Sequence, residues 1–150
     1  MLMKSRGRHK LGILVDPLAD NVRSSDIISV RGDLFDAVKA LQLKTGSVDI
    51  ICILAVFEHL GEQRQRVVDE CAKLLKTGGK LILTMPHKYV DHILKYLKIC
   101  GMIDGMSLEQ HDCCSYSEKV SQHFSTAYWK KIKHERFQLG LNNIYVFEKI

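Results

Sequence analysis

The sequence predicts an α/β fold, with a mostly parallel sheet flanked by helices and ended by a C-terminal antiparallel hairpin. Short apolar runs bounded by turn residues alternate with amphipathic stretches from Leu11 to Gly101, as successive strands and crossover helices do. The run Val48 to Val56 is apolar almost throughout, as suits a strand inside a parallel sheet. Beyond Lys133 the apolar period changes from helical spacing to alternation, the mark of paired antiparallel strands.

Leu11 to Val15 reads as a buried strand closed by Asp16-Pro17, and Ile27 to Val30 as a second, closed by Gly32-Asp33. Leu18 to Asp26 is too short and polar for a long crossover helix. Leu34, Phe35, Val38 and Leu41 have the spacing of a short amphipathic helix stopped by Thr45-Gly46. Val48 to Val56 then follows as a strand buried on both faces. Val67, Val68, Cys71, Ala72 and Leu75 line the next helix, with Glu62 in its first turn, Lys73 and Lys76 near its end, and Gly78-Gly79 stopping it. Lys80 to Thr84 is a short buried strand. Tyr89, Val90, Ile93, Leu94 and Leu97 define a further helix, Met102 to Ser115 a long loop or lid, and Ser117 to Phe124 a short helix. In the tail, Phe137, Leu139 and Leu141, then Ile144, Val146 and Ile150, alternate around an Asn142-Asn143 turn.

With 150 residues, 46% hydrophobic and 26% charged, the chain has the composition of a single domain over residues 1–150 that buries its own core. The longest apolar run, Ile50 to Phe57, falls far short of the ~20 residues a membrane helix needs, and MLMKSRGRHK has no apolar segment behind its charges. A soluble, cytoplasmic protein without a membrane span is expected. The net charge of +5 is dispersed outside the basic arm Lys4, Arg6, Arg8 and Lys10, and charges such as those from Arg64 to Lys76 read as a solvated face, so no nucleic-acid partner is expected. The five cysteines are odd in number and lie largely in apolar patterns, which favours free thiols in a reducing compartment. His111, Cys113 and Cys114 lack the spaced pairs of a zinc site, and no metal is expected.

Taken in order, GILVDPL, VRGDL, VDIICILAVFEHL, LLKTGGKLILTMP and FQLGLNNIYVFEK resemble the class I S-adenosylmethionine-dependent methyltransferases, in the branch acting on small molecules. The resemblance runs from Gly12 to Lys149 and is most specific from Ser47 to Pro86, where Asp49, Glu58-His59, Gly78-Gly79 and Pro86 punctuate a strand, helix, strand unit. It implies a Rossmann-like three-layer sandwich, S-adenosylmethionine as cofactor and a small-molecule substrate. Asp16 matches the acidic residue that binds the ribose hydroxyls, and a carboxylate can accept two such bonds at once; a turn-forming role before Pro17 is the competing reading. Gly32, Asp33 and Leu34 match the turn beside the adenine, while Asp33 also suits a helix N-cap. Leu54, Ala55 and Val56 match the segment facing the methionine part. Glu58 and His59 follow at the carboxyl edge, where open α/β sheets place ligands. His59 is the candidate for contacting the acceptor or taking its proton, or else it orders the loop. His87 and His111 border the substrate side, with surface placement as the alternative for each.

The resemblance breaks at its start. The family's first strand normally leads into a glycine-rich loop that lets backbone approach the cofactor, and no such loop occurs in this sequence. The chain therefore reads as N-terminally truncated relative to the family, with the first strand missing from the middle of the sheet. The neighbours of that strand then pair with each other, or a second copy or a partner chain completes the sheet, or the chain is a truncated product of lowered stability. Weak or no cofactor binding is expected. A non-catalytic binding or regulatory module on the same fold is the alternative to an enzyme, and a dinucleotide-binding oxidoreductase, which also needs the glycine fingerprint, fits the Glu58-His59 and Gly78-Gly79 spacing less well.

Overall fold

A computed structural model describes residues 11–87, 90, 96, 99–101 and 119–150. It divides into two compact units, Met1–Lys44 and Thr45–Ile150. Each has its own sheet.

In the first unit, β1 (Gly12–Asp16) runs parallel to β3 (Ile27–Arg31), in register from Gly12 opposite Ile27 to Asp16 opposite Arg31. The connection holds no helix, as its length and polarity predict. Instead β2 (Val22–Arg23) turns back antiparallel along the other side of β3, giving the order β1-β3-β2. The helix α1 (Leu34–Leu41) starts on a reciprocal cap: Asp36 N donates to Asp33 Oδ1 at 2.9 Å and Asp33 N donates to Asp36 Oδ2 at 3.0 Å. Ala37 packs with Ile28 and Val30, and Val15 and Leu41 border this core. The helix ends sooner than the expected Thr45-Gly46 stop, because Gln42 turns left-handed (φ 50°) and Leu43 N reaches back to Val38 O at 3.1 Å.

In the second unit the order is β4-β5-β7-β6. β4 (Val48–Leu54) runs parallel to β5 (Leu75–Pro86), whereas β7 (Asn142–Lys149) is antiparallel to both β5 and β6 (Trp129–Phe137). The expected mostly parallel sheet is therefore corrected to two mixed sheets. Parallel neighbours need a long crossover, while β6 and β7 are joined by the four-residue turn 138–141, which permits only an antiparallel return. The hairpin itself is present, but its turn lies ahead of the expected Asn142-Asn143. Gln138, Leu139 and Gly140 take positive φ of 50°, 58° and 83°. Asn143, 1% exposed, is instead a buried strand residue.

Phe57, Leu81, Leu83, Met85, Val120, Phe124, Trp129, Tyr145 and Phe147 form the core with the buried face of α2 (Arg64–Leu74). Phe124 stacks on Phe147 at 3.7 Å, with the edge of Trp129 5.4 Å away. α2 ends before Gly78-Gly79, since Leu75 is extended (φ −69°, ψ 141°), buried, and already paired with Val48. Gly79 serves close approach instead, because a Cβ there would lie 2.8 Å from Lys76 O and 3.1 Å from Asp49 O.

β4 differs most from expectation. It stops at Leu54 rather than Val56 and is not buried on both faces, for Ile50 and Leu54 are 57% and 58% exposed. The physical reason is its place: among the described residues β4 bonds only to β5, and β1 only to β3. Of the expected helix Ser117 to Phe124, the described part has Lys119 helical and Val120–His123 as a 3₁₀ helix. The expected helix through Tyr89, Ile93, Leu94 and Leu97 and the loop Met102 to Ser115 fall mostly or wholly outside the described residues.

Candidate functional site

The sequence-predicted residues gather into two groups, one in each unit. In the first, the carboxyl ends of β1 and β3 bring Asp16 beside Gly32, Asp33 and Leu34. Gly32 N donates to Asp16 O at 3.3 Å. Asp16 Oδ1 accepts from Leu18 N at 2.7 Å, so the turn-forming role before Pro17 is real. The carboxylate is nonetheless exposed, and its second oxygen makes no hydrogen bond among the described residues. Asp33 caps α1, and Leu34 is the first residue of that helix. Gly32 holds φ 136°, and a Cβ there would come within 2.4 Å of Asp36 Oδ2.

The second group lies where β4 ends beside β5. Leu54 pairs with Thr84, and Ala55 follows in a left-handed conformation (φ 53°) that side chains rarely adopt. What holds it is Thr84, whose carbonyl and Oγ1 lie 3.1 Å and 3.2 Å from Ala55 N. Val56 is exposed and leads into the 3₁₀ helix Phe57–Gln63. Within it Glu58 is buried, while His59 is exposed and donates its backbone N–H to Val56 O at 2.9 Å. His87 is buried rather than at the surface and donates its N–H to Leu141 O at 2.7 Å, toward the β7 side of β5. His111 lies outside the described residues.

Sequence reasoning missed three members of this neighbourhood. Thr84, the β5 residue that anchors Ala55, carries no signal beyond its place near a strand end. Arg64, read as part of a solvated face, is 4% exposed; a cation in the first turn of a helix runs against the helix dipole and was the available hint. Asn143 Oδ1 lies 3.0 Å from His134 Nε2, and the His134 ring stacks on Tyr145 at 4.1 Å. Burial pushes the Cys71 thiol up to about 12, with Glu70 adding to it, and raises Cys52 as well. His123 is lowered, first by burial and then by the Arg64 charge. No cluster of three or more His, Cys, Asp or Glu able to hold a metal occurs among the described residues.

Compared with protein families, residues 15–83 match a methyltransferase domain. Three solved structures share the fold. A SAM-dependent methyltransferase from Methanosarcina mazei is 11% identical over 93% of this chain and 82% of its own, with a TM-score of 0.60. A type 11 methyltransferase from Sulfolobus solfataricus is 17% identical over 83% and 59%, at 0.53. In the complex of the Haloferax volcanii Trm112 methyltransferase activator with a methyltransferase, the values are 13% over 85% and 63%, at 0.55. No curated protein matches the sequence significantly. The fold is that of the S-adenosylmethionine-dependent methyltransferases. Over residues 15–83, a little under half of its length, this chain is similar to the methyltransferase domain family. It spans about three fifths of the Sulfolobus and Haloferax chains, 59% and 63%.

Proposed function

We propose that this chain carries part of a methyltransferase that moves the methyl group of S-adenosylmethionine to a small-molecule acceptor. The observation that carries the reading is the match over residues 15–83, which contains Asp16, Gly32, Asp33 and Leu34 at one pair of strand ends and Leu54, Ala55, Val56, Glu58 and His59 at another. The nucleoside end of the cofactor fits the first group: the exposed Asp16 carboxylate would accept ribose hydroxyls, and Gly32, Asp33 and Leu34 would flank the base. Leu54, Ala55 and Val56 would face the methionine part. When bound, S-adenosylmethionine supplies an electrophilic sulfonium methyl.

The remaining work falls to orientation and exclusion of water rather than to a covalent catalyst. His59, exposed beside the strand end, would contact the acceptor or take its proton. Glu58 and His87 would lie on the substrate side. The cytoplasmic assignment rests on the free thiols Cys52, Cys71 and Cys100. No helix of the described residues is long and apolar enough to cross a membrane.

No glycine-rich loop of the GxGxG kind occurs among the 150 residues, and a module that keeps the fold without catalysis is the second reading. Calorimetric titration with S-adenosylhomocysteine separates the two. We expect binding weaker than micromolar, reduced by Asp16→Ala by about 1.5–3 kcal/mol, the size of hydrogen bonds to a charged group. An affinity unchanged by that substitution removes Asp16 from the site, and no binding at all favours the module. Among the described residues β1 and β4 each leave one edge unbonded, which supports completion of the sheets by a second copy or a partner chain, and one structural neighbour is a methyltransferase in complex with an activator.

A further inference from the structure

We propose that Arg64 is a positioning residue, which fixes the turn Phe57–Gln63 and thereby the Glu58-His59 pair; the functional weight of that pair rests on the reading above. Arg64 is the first residue of α2 and is 4% exposed. Its Nε donates to Phe57 O at 3.0 Å, its Nη1 to Gly61 O at 3.1 Å, and its Nη2 to Glu58 O. One planar guanidinium thus gathers carbonyls from the beginning and the bend of a single turn, which the rigid fork of an arginine can do and a point-like ammonium cannot.

The turn needs such an anchor. It is a seven-residue 3₁₀ stretch broken at Gly61 (φ 53°, ψ −128°), with no side-chain cap at its start and none at the start of α2. Runs of this helix beyond three or four residues are uncommon because their hydrogen bonds are poorly aligned. Helix stability does not explain an arginine here, since a cation in the first turn opposes the dipole. A buried charge is also costly unless it is hydrogen-bonded, and these carbonyls take three of its five N–H donors. His59 lies between the tethered Glu58 and Gly61, so its backbone direction follows from the clamp.

Hydrogen exchange and imidazole resonances, recorded by NMR on the full chain, test the assignment in Arg64→Met and Arg64→Lys. In both variants the amides of residues 57–63 are expected to exchange about tenfold faster or more, as a local opening would, and the His59 ring resonances should shift or broaden. Leu81, Leu83 and Phe147 should keep their protection. Unchanged exchange over 57–63 with unmoved His59 resonances overturns the proposal. So does an equal loss of protection at Leu81 and Phe147, which makes Arg64 a general core group. No methyl donor enters this experiment, so a failure of cofactor binding in the calorimetric titration leaves its outcome intact.

Discussion

Gly32 shows how much one residue carries in the first unit. Its φ of 136° lies in the region that favours glycine, and an added Cβ would press on Asp36 Oδ2, the acceptor of the α1 capping box. Gly32→Ala is expected to strain the backbone and disturb the cap together, costing about 1–3 kcal/mol. Faster amide exchange in β3 and α1, with β5 and β7 unaffected, is the result to look for. Equal exchange in both proteins would show that the turn relaxes without cost. Asp33 as an N-cap was legible because capping acts over three residues. For Arg64 only its place in the first turn hinted at burial, and its partners could not be read, since they are carbonyls, which every residue has.

Among elements, the segment Val120–His123 against the start of α2 gives a pH dependence. His123 Nδ1 lies 3.3 Å from Gln65 Oε1, and its ring meets Phe57 edge-on at 5.7 Å. Burial, then the Arg64 charge, lowers its folded value below the ordinary 6.5. The unfolded chain therefore takes up the proton first as pH falls. Stability from this group is complete above 6.5 and is lost as pH drops from there through the folded value. Thermal midpoints measured between pH 7.5 and 5 should fall less in His123→Gln than in the parent; identical slopes would exclude His123 as a source. The period of α2 was readable, but its end was not: Leu75 continues the helical pattern, and only pairing with Val48 draws it into β5.

At the scale of the whole molecule, the edge of β4 that bonds to no strand among the described residues has the largest consequence. From Ile50 to Leu54 it presents no charge and no proline, and its outer residues Ile50 and Leu54 are exposed. Asp49, the only charge on the strand, is paired with Lys76 at 2.7 Å. An uncharged edge of this kind pairs readily with another strand, and antiparallel self-pairing centred on Cys52 sets no like charges opposite one another. Sedimentation velocity should show concentration-dependent self-association of the chain, reduced by Ile50→Lys. Association unaffected by that lysine would assign the contact to another surface.

By itself the sequence determined what depends on near neighbours: the α/β alternation, the start of α1 and its Asp33 cap, the lack of a helix between β1 and β3, and the family pattern from Asp16 to His59. Only the tertiary structure decided that the sheets are mixed, that β4 is an edge, that the hairpin turns at Gln138–Gly140, and that Arg64 is buried beneath the Glu58-His59 turn. Periodicity and capping are local properties, set within a few residues. Strand neighbours, exposure and the partners of a buried charge are set by segments far apart in the chain, and come into being only when those segments meet.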